Sequence, residues 1–144
     1  MRRVTELGPF SESAMTIPEI IQFLQSGRDV DAQIEAFEDL DSRVTNEDVP
    51  ILLAALESER SDFWVRELLA QPIIRLSGAQ ALPELMTALR RNFEEGHDND
   101  GFALFLIELA ESDPDSVRGE LQRLSATAGN AQLKDIQWLL EYCT

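Results

Sequence analysis

The only histidine of the chain, His97, stands in the loop Glu94-Glu95-Gly96-His97-Asp98-Asn99-Asp100-Gly101, the segment with the widest choice of ligating and proton-transferring groups. Nucleophilic catalysis would need this histidine to act as base for a serine or cysteine held within hydrogen-bond reach. No nucleophile-elbow motif supplies such a serine, and no glycine-rich loop of the phosphate-cradling kind occurs. The same loop imitates part of a calcium loop, because Asp98 and Asp100 alternate ahead of Gly101. Its first ligand position is Gly96, however, and Ile107 stands where the closing bidentate glutamate belongs. Glu95, His97, Asp98 and Asp100 are the set a weak site would use. The reading preferred is an acidic helix-capping loop with a solvated histidine, no metal and no cofactor.

Carboxylates are the other abundant chemistry. Asp31, Glu35 and Asp39 recur at i, i+4 and i+8 with Glu38 beside them, and on a helical wheel they lie opposite Val30, Ile34, Phe37 and Leu40. That places them on an exposed anionic ridge. A general acid needs a carboxyl raised in pKa by burial, which a solvent-facing ridge does not provide. Like charges at i, i+4 cost a helix a few tenths of a kcal/mol each, so the ridge is read either as a plain solvated face or as a face that serves something other than its own helix. Trp138 falls opposite the stripe Leu133, Ile136 and Leu140 and is expected to be exposed between Lys134 and Glu141. An exposed tryptophan among acids has the composition of a binding hot spot. Trp64, beside Phe63, is expected to be partly buried. Cys143 has no partner for a disulfide and no histidine or cationic cluster beside it, so it is read as a small hydrophobe in a reducing compartment.

Net charge narrows the choice of partner. Twenty-seven acids against twelve bases give −15 and a pI near 4.3. Such a field repels nucleic-acid phosphates and anionic membranes and attracts basic proteins. No apolar run approaches the roughly 20 residues that span a bilayer, and the start Met1-Arg2-Arg3-Val4 lacks the apolar stretch of a secretory signal. A cytoplasmic protein that binds neither membrane nor nucleic acid is expected.

The elements that must position these residues are announced by repetition. The phrase IPEIIQFL begins at Ile17, VPILLAAL at Val49, LPELMTAL at Leu82 and, more loosely, VRGELQRL at Val117, in steps of 32, 33 and 35 residues. Self-similarity at this period marks units that bury their apolar faces only by stacking. Each phrase reads as a helix. Thr16 is the cap of the first, with Pro18 and Glu19 in its first turn and Gly27 at its end; Asn46 is the expected cap of the second, with Pro50 in its first turn. Partner helices are predicted near Asp29–Asp41, Asp62–Leu76, Phe102–Ser112 and Asn130–Tyr142. Pro72 is expected to kink or break the second of these. The third, Phe102–Ser112, is apolar nearly all round, which predicts burial on most sides. Residues 1 to 15 read as an arm, and 16 to 144 as a single domain. No segment shows the period-two alternation of a strand.

The four phrases and their paired helices, over residues 16 to 143, resemble the HEAT and armadillo-like α-solenoids, with repeats slightly shorter than typical HEAT units. The small-residue signature of tetratricopeptide repeats is missing. The resemblance implies an all-α, right-handed solenoid of about four helix pairs, roughly eight helices, that binds partners on a concave face lined by the second helix of each pair. On those helices stand Asp31, Glu35, Glu38 and Asp39, then Glu67, then Glu108 and Glu111, then Trp138 and Glu141. The expected function is a non-catalytic acidic binding module, sharpest as an inhibitor or immunity-type protein that covers a basic partner such as a nuclease toxin. The alternatives are a scaffold or adaptor subunit and, through the HEAT-like enzymes, a lyase. A glycosylase reading needs a basic face, and −15 opposes it.

Overall fold

The computed structural model describes residues 15–144, so nearly all of the expected arm lies outside the described residues. Among the described residues the regular structure is helical throughout. Backbone contacts divide the chain into two compact units, one ending at Val44 and the other running from Thr45 to Thr144.

The first unit holds α1 (Ile17–Ser26) and α2 (Val30–Arg43). Thr16 opens α1 with a capping box: its hydroxyl accepts from the Glu19 amide at 3.2 Å, and the Glu19 carboxylate accepts from the Thr16 amide at 2.8 Å. Two of the donors a helix start leaves orphaned are thereby satisfied. Asp29 caps α2. The inward face of α2 differs from the expected stripe. Leu40 is buried, Phe37 half-buried, and Val30 and Ile34 are exposed; the inward place goes to Gln33. Its amide donates to the Leu24 carbonyl at 2.8 Å, near the end of α1. A buried amide that satisfies an orphan carbonyl can outcompete an isoleucine for an inward position, which hydrophobic periodicity does not register.

The second unit begins with a 3-10 turn, Asn46–Asp48, followed by α3 (Val49–Glu57) and α4 (Phe63–Ser77). A second 3-10 turn, Gly78–Ala81, leads into α5 (Leu82–Glu94), α6 (Asp100–Ser112), α7 (Pro114–Ser125) and α8 (Asn130–Leu140). The repeated phrases therefore occupy α1, α3, α5 and α7. Three of them start on the first helical residue with proline second, where a missing N–H costs nothing. The fourth starts inside α7, whose first residue is Pro114. Asn46 is not the cap of α3. It lies within the 3-10 turn, where Asp48 accepts from the Thr45 amide at 2.9 Å.

Within this unit α3, α5 and α7 touch in succession, as do α4, α6 and α8, while α3 packs on α4 and α7 on α8. The core includes Leu52, Leu56, Leu69, Ile73, Leu85, Leu89, Phe102, Leu106, Val117, Leu121, Ile136 and Leu139, all fully or almost fully buried. Pro72 does not break α4, which runs unbroken through it. Leu68, Leu69, Ala70 and Ile73 around it are buried. Their packing holds the helix together across the missing hydrogen bond, since tertiary burial outweighs local propensity. The expected enclosure of α6 also needs correction: Leu106 is fully buried, but Leu104 is 51% exposed and Phe105 and Ile107 are half-buried. Among the described residues no helix is long and apolar enough to cross a membrane.

Gly78 ends α4 with φ 57° and ψ −134°, a conformation that side chains with a Cβ strain to adopt. We expect Gly78→Ala to cost about 1–3 kcal/mol in a urea melt even though the site has open space for a methyl group. A neutral substitution would show that the turn relaxes freely.

Candidate partner-binding surface

The acids chosen from the sequence fall in both units, and each group is described within its own. Asp31, Glu35, Glu38 and Asp39 all lie exposed on α2 of the first unit. Among the described residues only Asp39 has a cation at ion-pair distance, Arg43 at 3.0 Å. The ridge is therefore exposed as expected, and most of its charge has no compensating cation among the described residues. An adjoining depression of about 300 Å³ is lined by Met15, Phe23, Ala32, Ala36, Glu35 and Asp39.

In the second unit the structure brings Glu67 and Glu108 to the joint between α4 and α6. Glu67 lies against the start of α6: a Cβ placed on Gly101 would sit 2.7 Å from Glu67 Oε1. Glycine at this position is what allows the carboxylate to lie directly on the α6 backbone. Toward the other end of the two helices a groove of about 490 Å³ opens, with Ile74, Phe105 and Leu109 in its wall and Gln71, Arg75 and Glu108 at its edges. Glu111 is exposed one turn beyond Glu108 on α6. Burial pushes the Glu67 carboxyl above its ordinary value, and the negative charge of Asp98 pushes it further. No cation among the described residues offsets it.

The loop that carries Asp98 is anchored on either side of it by a polar network that hydrophobic patterning does not reveal. Arg66 is 1% exposed. Its Nε donates to Asn92 Oδ1 at 2.7 Å and its Nη1 to the Ser61 carbonyl at 2.8 Å, while Nη2 donates to the Glu95 carboxylate. The Asn92 amide donates to Asn99 Oδ1 at 2.8 Å, and the Asn99 amide to the Leu89 carbonyl at 2.9 Å. Asn99 takes a left-handed conformation, φ 64°, which asparagine tolerates better than most residues. The loop from Glu95 to Asp98 is thus anchored at both ends. His97 is exposed as expected but not merely solvated: its ring stacks on Phe63 with centroids 4.1 Å apart. Burial is the largest single effect on the Glu95 carboxyl and raises it, but hydrogen bonds and charge from Arg66 and then Arg91 together more than reverse this and leave it lowered. The signals for this network in the sequence were an arginine inside an apolar helix and two asparagines, residues that sequence reading assigns to surfaces.

The last helix is rotated from its expected setting. Asp135, Ile136 and Leu139 face inward, whereas Leu133 and Leu140 are half-buried. Trp138 is correspondingly not the exposed residue predicted. It is half-buried, with its ring edge-on to Tyr142 at 5.8 Å. The Asp135 carboxylate lies 3.3 Å from Arg90 on α5, although among the described residues neither Asp135 Oδ2 nor Arg90 Nε makes a hydrogen bond. Burial raises the Asp135 carboxyl, Arg90 opposes the rise and Glu94 adds to it. Glu141 remains exposed. Trp64 is half-buried as expected. Cys143 is buried, as a small hydrophobe would be, and Arg118 donates to its carbonyl at 2.6 Å. Burial pushes its thiol up, against a smaller opposing effect of Arg118. Among the described residues no group of histidine, cysteine and acidic side chains is placed to hold a metal ion.

A raised carboxyl opposes folding when ionised. For Glu67 the penalty is absent below the ordinary value of 4.5, where both states are protonated, and develops as pH rises through the higher folded value. Glu67→Gln is therefore expected to melt higher than the parent at neutral pH, with the difference closing in acid. Equal melting temperatures at neutral pH would show the carboxylate to be fully hydrated.

Comparison with protein families, with curated proteins and with solved structures finds no match to this chain.

Proposed function

We propose that this protein is a non-catalytic acidic binding module that covers a basic protein, in the manner of an inhibitor or immunity protein acting on a cationic partner such as a nuclease toxin. In this reading the helix pairs stack as a short HEAT-like α-solenoid. The successive contacts among α3, α5 and α7 and among α4, α6 and α8 support that stacking.

The observation that carries the proposal is the ridge on α2. Asp31, Glu35 and Glu38 are exposed, and no cation among the described residues lies within ion-pair distance of them. Like charges at helical spacing without local compensation weaken a helix and strengthen its attraction for an incoming cation. The net charge of −15 adds a long-range field that steers a basic partner and repels nucleic acid.

The test is a pull-down from lysate with the protein as bait, eluted by a salt step and identified by mass spectrometry. A single basic protein released by salt is expected, with affinity reduced at least about tenfold by Glu35→Lys with Glu38→Lys through loss and reversal of close charge pairs. A partner whose affinity and salt dependence are indifferent to that double reversal would remove the ridge from the interface. An acidic partner retained through salt would sink the basic-partner reading.

A further inference from the structure

We propose that the groove between α4 and α6 is a docking site for an amphipathic helix of the basic partner, which seats an apolar side chain against Ile74, Phe105 and Leu109 and places a lysine or arginine beside Glu67. This rests on the basic-partner reading and adds a second surface, on the other unit, with its own chemistry.

Three features of the groove point to that occupant. Its lining is mostly apolar and open, and at about 490 Å³ it falls within the range of ligand clefts and has room for more than one side chain. Leu104, next to Phe105 on α6, is 51% exposed, which leaves apolar surface in water that an apolar ligand would cover. The groove also runs between two helices lying in the same direction, since Gly101 and Glu67 meet near their starts and Arg75 and Ser112 line the same groove near their ends. Such a trough accepts a third helix about as long as α6, roughly 20 Å, through anchors at i, i+3 or i+4, and i+7.

Charge sets the kind of helix and its placement. Glu67 lies one turn before Gln71 on the same side of α4, partly desolvated, with Asp98 adding to its negative field and no cation among the described residues opposing it. A partly buried carboxylate without a partner gains more from a cation than an exposed one does, because the cation offsets a cost already incurred. At the far end Arg75 and Glu108 both line the groove, so their charges offset one another and the demand for a cation is confined to the Glu67 end. A second copy of this chain fits poorly, since it would bring the same −15 charge to an acidic rim.

The probes are two synthetic peptides of roughly 14 residues, about the length of α6. One is a leucine–lysine amphipathic helix and the other is oligolysine. Binding is read by fluorescence anisotropy at low and physiological salt, with folding of every variant confirmed by its helical circular dichroism. The leucine–lysine peptide is expected to bind at least about tenfold more tightly than oligolysine, and to lose about tenfold on Glu67→Gln and on Ile74→Ala, each the effect of roughly one lost anchor. Glu35→Gln with Glu38→Gln on α2 should leave its affinity within about twofold, because those charges lie outside the groove. Equal binding of the two peptides, or indifference to both groove variants, would overturn the docking site and leave the basic-partner reading to its own pull-down. Concentration-dependent self-association abolished by Ile74→Ala would also overturn it, by assigning the groove to a second copy.

Discussion

Leu106→Ala is expected to destabilise the protein by about 2–5 kcal/mol, while Leu104→Ala, two residues away on the same helix, stays within about 0.5–1 kcal/mol. Both changes remove the same atoms. Leu106 has no exposure and lies on α6, which touches α4, α7 and α8, so its removal leaves a cavity that three helices would have to collapse to fill. Leu104 is 51% exposed, and its removal merely shortens a side chain already in water. Urea denaturation of the two variants, with the slope of the transition held equal, checks the difference. Comparable losses would mean that α6 is enclosed on all sides and that its rotation is not the one described. The contrast bears on function, because an α6 that exposes Leu104 has an unpartnered edge beside the α4–α6 groove.

Arg66→Ala is expected to cost about 3–5 kcal/mol, the range for removing one partner of a buried charged network. The loss comes mostly from the neutral side of the network. Asn92 Oδ1 and the Ser61 carbonyl each lose a buried donor, whereas Glu95 is 38% exposed at its side chain and turns to water. A double-mutant cycle with Asn92→Ala separates the two contributions, and a coupling energy near zero would show that the guanidinium is held by packing alone. The pH dependence has a definite sign. Arg66 and Arg91 hold the Glu95 carboxyl below its ordinary value of 4.5. The stability they confer is therefore fully present above that value and is lost as pH falls through the lowered one. Arg66→Ala should flatten this acid limb, which is a readout that a simple cavity would not move. It should also loosen the loop that carries His97 and Asp98, and with it the electrostatic surroundings of Glu67.

The two predictions meet at the same joint. Leu106 fixes how α6 lies within the second unit, Arg66 fixes the loop that precedes α6, and Glu67 lies between them on α4 with its carboxylate on Gly101. Uncompensated charge at this joint and on the α2 ridge is what an acidic binding module would keep available for a cationic partner, and in each place it comes at the expense of local stability.

The helices themselves were legible from the residues because their causes are local. Thr16, Pro18 and Glu19 set the start of α1, Pro50 and Pro83 the first turns of α3 and α5, and the recurring phrase identified α1, α3, α5 and α7. Exposure of the α2 acids followed as well, since a run of carboxylates spaced by single turns cannot be desolvated without partners. What the tertiary structure alone decided depends on residues far apart in the chain. Gln33 took the inward place expected of Ile34 because a carbonyl nine residues earlier needed a donor, Asp135 faced inward beside Arg90 and Trp138 became half-buried, and Arg66 reached partners 26 and 29 residues away. Hydrophobic periodicity assigns polar side chains to the surface. Where a buried polar group finds its complement across the fold, that complement and not the residue's hydropathy determines which way the helix faces.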